Sequence, residues 1–190
     1  MPYVADDEQR RLVAKHFGGL GSPVFWAEVV RRQLSRLETL QGDFADILEH
    51  AIRDGTPIPI VGGYDARVYY PGEMALEAAL LVVAMHNVTR YTRTSGLAPA
   101  RSARLRPFLR ALRSLAPRLE EMRNLVEHAD EMAEKRDEIP FSVEFLGTDD
   151  FRGELLLRVG EDAIKLKASA RAAIDLAGAI DTHIVEALGG

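Results

Sequence analysis

The sequence predicts an α+β protein that is predominantly α. It should form a bundle of four or five helices, then a small antiparallel meander of about three strands and a C-terminal helix. Three observations carry this expectation. Apolar residues recur at three- and four-residue spacing through most of the first 138 positions, as on the buried stripe of a helix. After residue 140 the period drops to two, with Phe141, Val143 and Phe145 alternating with polar neighbours. From Ser169 the helical spacing returns, with Ala173, Ala177, Ile180, Ile184 and Leu188 on one face. The chain therefore divides into a helical bundle domain, 1–138, and a β-meander with its covering helix, 139–190, packed on the first part.

Residues 5–17 read as a short helix closed by the Phe-Gly-Gly-Leu-Gly stretch at 17–21. Ser22 is placed to cap a long helix over 23–52 with Pro23 in its first turn. Val30, Leu34, Leu37, Leu40, Phe44, Ile47 and Ala51 form its stripe, and Gly55 and Pro57 end it. The segment 55–72, rich in proline, glycine and tyrosine, reads as an extended loop crossing the body. Gly62-Gly63 within it has no Lys-Ser/Thr behind it, so it does not match a phosphate-binding loop. Pro71 is expected to start a second long helix over 72–94, nearly all apolar in its middle and central to the bundle. Gly96 and Pro99 break it.

A third helical stretch runs from 101 to about 115, with Pro107 either kinking it or resetting its start. Pro117 opens a fourth that ends near Arg136, burying Leu119, Met122, Val126, Ala129 and Ala133. The expected strands centre on Phe141–Phe145, Leu155–Val159 and Ile164–Leu166, with turns at 147–150 and 160–162. A sheet this small is marginal alone, so the last helix, capped by Ser169, is expected to cover it.

At 190 residues, 47% hydrophobic and 28% charged, the chain can bury one good core with a small attached layer. It has no cysteine, which excludes disulfides, thiolate nucleophiles and thiolate metal sites. The N-terminus lacks a basic patch leading into an apolar run, so no secretory signal is expected. The most apolar stretch, 74–85, contains Glu77 and is too short to cross a bilayer. A cytoplasmic location without membrane contact is the default expectation.

The net charge is −5, and its distribution is uneven. Residues 78–119 hold eight arginines, no lysine and no acid, so the remainder carries −13. The acidic stretch 120–138 follows at once, with eight Asp/Glu against three Lys/Arg. Guanidinium forks suit bidentate carboxylate or phosphate partners. The arginine-rich segment is therefore expected to bind RNA, to bind an acidic protein partner, or to neutralise acidic surface within its own bundle.

The segment 118–138 also holds the one grouping suited to catalysis. Histidine near neutral pKa moves protons, and arginine holds a phosphate or steadies a developing negative charge. His128 could assist attack by an RNA 2′-hydroxyl while Arg123 grips the scissile phosphate and Asn124 orients it, without a metal. On a helical wheel Arg123 and His128 differ by about 140°, so one helix alone does not converge them. A shared cleft or a second copy of the helix would be needed.

The run Arg123-Asn124-Leu125-Val126-Glu127-His128 resembles the Arg-polar-x3-His motif of the higher eukaryotes and prokaryotes nucleotide-binding (HEPN) superfamily. The resemblance covers roughly residues 23–136. It implies a helical bundle pairing as a homodimer, and a metal-independent ribonuclease of a toxin or defence type. Arg123 and His128 would be the catalytic pair and Asn124 the polar follower. The same residues also permit a non-catalytic reading. Glu127 stands four positions from Arg123 and can pair with it on an open surface, and the acids around it repel a phosphate chain.

Further candidates for contact with a substrate are His86 and Arg90, one turn apart on the second long helix, and Arg106, Arg110 and Arg113, which share a face of the third. No cofactor is expected. His128 and Glu131 could supply two metal ligands, but Glu49, His50, Glu73, Glu77 and His86 are scattered over other helices, so no metal site is assigned. A small-ligand or metal sensor would require a closed pocket joining the Tyr64–Tyr70 loop to His86.

Overall fold

The computed structural model describes residues 22–94, 103–127, 141–146, 151–159 and 162–187. The expected helix at 5–17, the helical continuation past Glu127, the turns at 147–150 and 160–161, and Leu188 lie outside the described residues. Within them the chain is mainly helical, with five helices, a two-residue hairpin and a three-stranded antiparallel sheet.

Helix α1 (Pro23–Asp54) starts as expected. The Ser22 hydroxyl accepts from the backbone N–H groups of Val24 at 3.1 Å and Phe25 at 3.4 Å. Gly55, in the left-handed conformation, ends it. Val30, Leu34, Leu37, Phe44 and Ala51 are buried. Leu40 and Ile47 are only half-buried at the stripe's margin, and Gln41 takes a buried position between Leu37 and Phe44.

The segment 55–72 is not one extended loop. Strands β1 (Ile60–Val61) and β2 (Tyr64–Asp65) pair antiparallel around Gly62-Gly63. Both glycines have positive φ, 58° and 88°, which gives the two-residue turn whose twist matches a tight hairpin. Helix α2 (Ala66–Thr94) then begins six residues earlier than expected, so Pro71 lies inside it. The start is set by Asp65, whose carboxylate accepts from the backbone N–H of Arg67 at 2.8 Å. The N–H of Ala66 donates to the carbonyl of Pro59 at 3.1 Å.

Helices α1 and α2 run antiparallel, as the reversed pairings Phe44–Tyr70 and Arg36–Glu77 show. Their seam is the main body of the core. Met74, Ala78, Leu81, Val82, Met85 and Val88 of α2 are fully buried. Ala66–Tyr91 has a mean hydropathy of 1.3 over its most apolar window and is long enough to cross a membrane. That stretch is longer than the sequence reading allowed, because the helix extends through residues assigned there to the loop. Its packing against α1, two further helices and three strands is that of a core helix.

Helix α3 (Arg106–Leu115) has Pro107 in its first turn, so the proline resets the start and does not kink a longer helix. Helix α4 (Leu119–Glu127) packs on α2 and buries Leu119 and Met122, while Val126 is half-buried.

The sheet follows the expected order. β3 (Phe141–Leu146), β4 (Glu154–Val159) and β5 (Asp162–Lys165) form a meander with β4 central. Register places Val143 opposite Leu157 and Leu157 opposite Ile164, which makes one apolar face. On the other face Arg158 grips Glu144 through two hydrogen bonds, at 2.7 and 3.0 Å.

Helix α5 (Leu166–Ala187) grows directly out of β5 and packs on α1, α2, α3 and the sheet. Ser169 does not cap it. The helix begins three residues earlier, and the Ser169 hydroxyl is buried without a hydrogen-bond partner in the first turn. The cap comes from Glu154 of β4, whose carboxylate accepts from the N–H groups of Lys167 at 2.7 Å and Ala168 at 3.0 Å. A carboxylate at a helix N-terminus satisfies orphan donors and complements the helix dipole.

Candidate functional site

Of the arginine-rich segment, residues 78–94 belong to α2, Arg106, Arg110 and Arg113 lie on α3, and Arg104 and Arg118 lie in the turns beside α3. Helix α3 has no acidic residue, and its apolar positions Leu109 and Leu112 face the core. Arg106, Arg110 and Arg113 recur at four- and three-residue spacing and therefore form one exposed ridge, about 10 Å long at the helical rise.

None of these three arginines makes an ion pair among the described residues. The arginines around them behave differently. Arg104 pairs with Glu186 of α5, Arg118 with Glu121, and Arg123 with Glu127 at 2.6 Å. Glu121 and Glu127 of α4 are thus engaged by Arg118 and Arg123, three and four positions before them in sequence. Local ion pairs therefore engage two of the acids of α4, and the three ridge arginines of α3 make none among the described residues.

Beside the ridge lies a cavity of about 270 Å³, formed where α2, α3 and the start of α4 meet. Leu109, Leu112 and Leu119 give it an apolar floor, and His86, Thr89, Arg113, Arg118, Glu120 and Glu121 bring polar groups to its wall and rim. Nδ1 of His86 is buried within the protein. The structure therefore brings His86 and Arg113 to one concavity. Arg106 and Arg110 continue from Arg113 along the exposed face, outside the lining. Arg90 is exposed on α2, one turn beyond His86, and also stands outside the lining.

Arg123 and Asn124 are elsewhere on α4. The Arg123 guanidinium donates to Oδ1 of Asn124 at 2.8 Å and pairs with Glu127 in the i,i+4 arrangement. His128 and Glu131 lie outside the described residues. Both side chains of the Arg123–Glu127 pair are about one-third exposed, so the pair sits in screened surroundings.

Tyr69 and Tyr70 do not open a ligand pocket toward His86. They meet edge to face at 5.2 Å, and Tyr70 packs on Phe44 at 5.7 Å. His86 is sixteen residues further along the same helix, about 24 Å away. Among the described residues no group of three or more His, Asp or Glu side chains is spaced to hold a metal ion.

Two sites went unread in the sequence. Glu120 and Glu121 belong to the rim of the cavity, and their place in the first turn of α4 was a signal available from the Pro117 start. A second hollow, about 220 Å³, lies between α3 and α5 and is lined by Arg104, Phe108, Thr182, His183 and Glu186 among others. Its members come from segments about 80 positions apart, and no local motif announces it.

No family model, curated protein or solved structure matches the chain.

Proposed function

We propose that this chain is a non-catalytic interaction module that takes an anionic partner on the exposed face of α3. One observation carries the reading: among the described residues Arg106, Arg110 and Arg113 stand in a row without a paired carboxylate, while Arg104, Arg118 and Arg123 are each matched to one. A row of like charges on a short helix raises the energy of the free protein through self-repulsion. An anionic partner relieves that repulsion, and the guanidinium forks give it directional hydrogen bonds.

The pairing of Arg123 with Glu127 and Asn124 supports the non-catalytic half of the proposal. In the resemblance-based alternative Arg123 would be turned toward a phosphate. Here its donors are already directed to side chains of its own helix.

The test is binding of fluorescently labelled polyglutamate and single-stranded RNA at low salt. We expect wild-type protein to bind at least one of them with strong salt dependence. Binding should weaken about tenfold or more in the triple variant Arg106→Ser, Arg110→Ser, Arg113→Ser. Equal binding by the folded triple variant, or no binding by wild type, would overturn the proposal. Cleavage of RNA in EDTA that disappears in a folded His128→Ala variant would replace it with the ribonuclease reading.

A further inference from the structure

We infer that the partner of α3 is an acidic polypeptide segment carrying one apolar anchor side chain, which enters the cavity beside His86. This rests on the anionic-face reading above and specifies what occupies that face.

The ridge and the cavity are continuous, because Arg113 belongs to both. A ligand held by Arg106 and Arg110 therefore runs directly onto the floor made by Leu109 and Leu112. Successive guanidinium stems on α3 are about 6 and 4.5 Å apart along the axis. Carboxylates two residues apart in an extended segment, or three to four apart in a helical one, have similar separations. A polypeptide can therefore match the row without distortion.

The floor is what separates a polypeptide from a simple polyanion. An apolar concavity at the end of a charged row favours a ligand with a leucine-like or aromatic side chain among its acids. The rim argues in the same direction. Glu120 and Glu121 stand at the cavity mouth, and Arg118 engages Glu121. A nucleic acid strand carries a charge at every nucleotide and meets those carboxylates with repulsion. A polypeptide can place its carboxylates over the ridge and a neutral residue at the mouth. The cavity takes one side chain, and the three arginines set the direction of the segment that bears it.

The experiment compares labelled probes against the full chain by fluorescence anisotropy. The probes are a short Glu-rich peptide with one central leucine, the same peptide with that leucine replaced by serine, and a single-stranded RNA of equal charge. We expect the leucine peptide to bind about tenfold more tightly than the serine peptide, as burial of one apolar side chain implies. The folded surface variant Arg113→Glu should weaken both peptides. Equal affinity for the two peptides would overturn the inference, and so would tighter binding of RNA than of the leucine peptide. Either result leaves the anionic face standing. Failure of every probe to bind would remove the anionic face as well.

Discussion

The side-chain amide of Gln41 donates to the carbonyl of Phe151 at 2.6 Å, and Phe151 is held at φ 57°, in the left-handed region. The same nitrogen donates to the carbonyl of Gly153 at 3.0 Å. One buried side chain of α1 thus holds the entry to β4. Phe151 completes an aromatic cluster with Phe44 and Phe145, at 6.1 and 5.4 Å. Arg152 pairs with Asp46 and Glu49 on the outer side of the same helix. A left-handed conformation is unfavourable for a bulky residue, so the surrounding contacts are what keep it.

Removal of this amide leaves two carbonyls without their donor. Gln41→Ala should lower unfolding free energy by about 1–3 kcal/mol. Gln41→Glu should cost more than Gln41→Ala, because a carboxylate has no donor to offer and faces two carbonyl oxygens. Urea denaturation of the three proteins measures both differences. A change below about 0.3 kcal/mol for Gln41→Ala would contradict the role assigned to it.

Glu154 performs the second such connection, from the sheet to α5. Glu154→Ala should cost about 1–2 kcal/mol, as loss of a helix cap does. The effect should appear locally as faster hydrogen exchange at the Lys167 and Ala168 amides. If those amides exchange as in wild type, Glu154 is not what satisfies them in solution.

Arg123 offers a test in the opposite direction. As a surface pair with Glu127, its replacement in Arg123→Ala should change stability by no more than about 0.5 kcal/mol. Binding to the α3 ridge should be unchanged within about twofold, since Arg123 lies outside the cavity lining. Loss of partner binding in a stable Arg123→Ala protein would move the functional surface from α3 to α4.

The hairpin before α2 should respond to acid. Hydrogen bonds from the Arg67 guanidinium, followed by that from its backbone N–H, hold the Asp65 carboxyl at about 2, below its ordinary 3.8. A carboxyl whose folded pKa is depressed contributes stability above the unfolded value. That stability is lost as pH falls through the folded one, here between about 4 and about 2. The stability difference between wild type and Asp65→Asn should be constant above pH 4 and shrink below it. Carboxyl NMR should show the Asp65 midpoint rising toward the ordinary value in Arg67→Ala. An unchanged midpoint would remove Arg67 as the cause.

Much of the fold was legible because local chemistry declares itself. The Ser22–Pro23 start of α1, the terminating Gly55 and the change of period after residue 140 each reflect interactions within a few positions. The start of α2 was misread for the converse reason. Pro71 is a conspicuous local signal, but Asp65 and the Gly62-Gly63 turn outweigh it by supplying the first turn with its acceptor and its direction. Gln41 was readable in principle, as a polar residue at a stripe position between Leu37 and Phe44, but its partners lie 110 and 112 residues away.

The sequence by itself determined that arginines are segregated into 78–119 and that three of them share a helical face, since spacing along one helix suffices for that. It also determined that Arg123 and Glu127 can pair. Which arginines keep a free charge was decided only by tertiary structure, because it depends on which carboxylates come within about 4 Å once helices pack. Arg104 finds Glu186 through the packing of α3 on α5, while Arg106, Arg110 and Arg113 make no ion pair with a described acid. The joining of Arg113 to His86 was likewise a matter of packing. This concavity lies where three helices meet, and no single segment contains it.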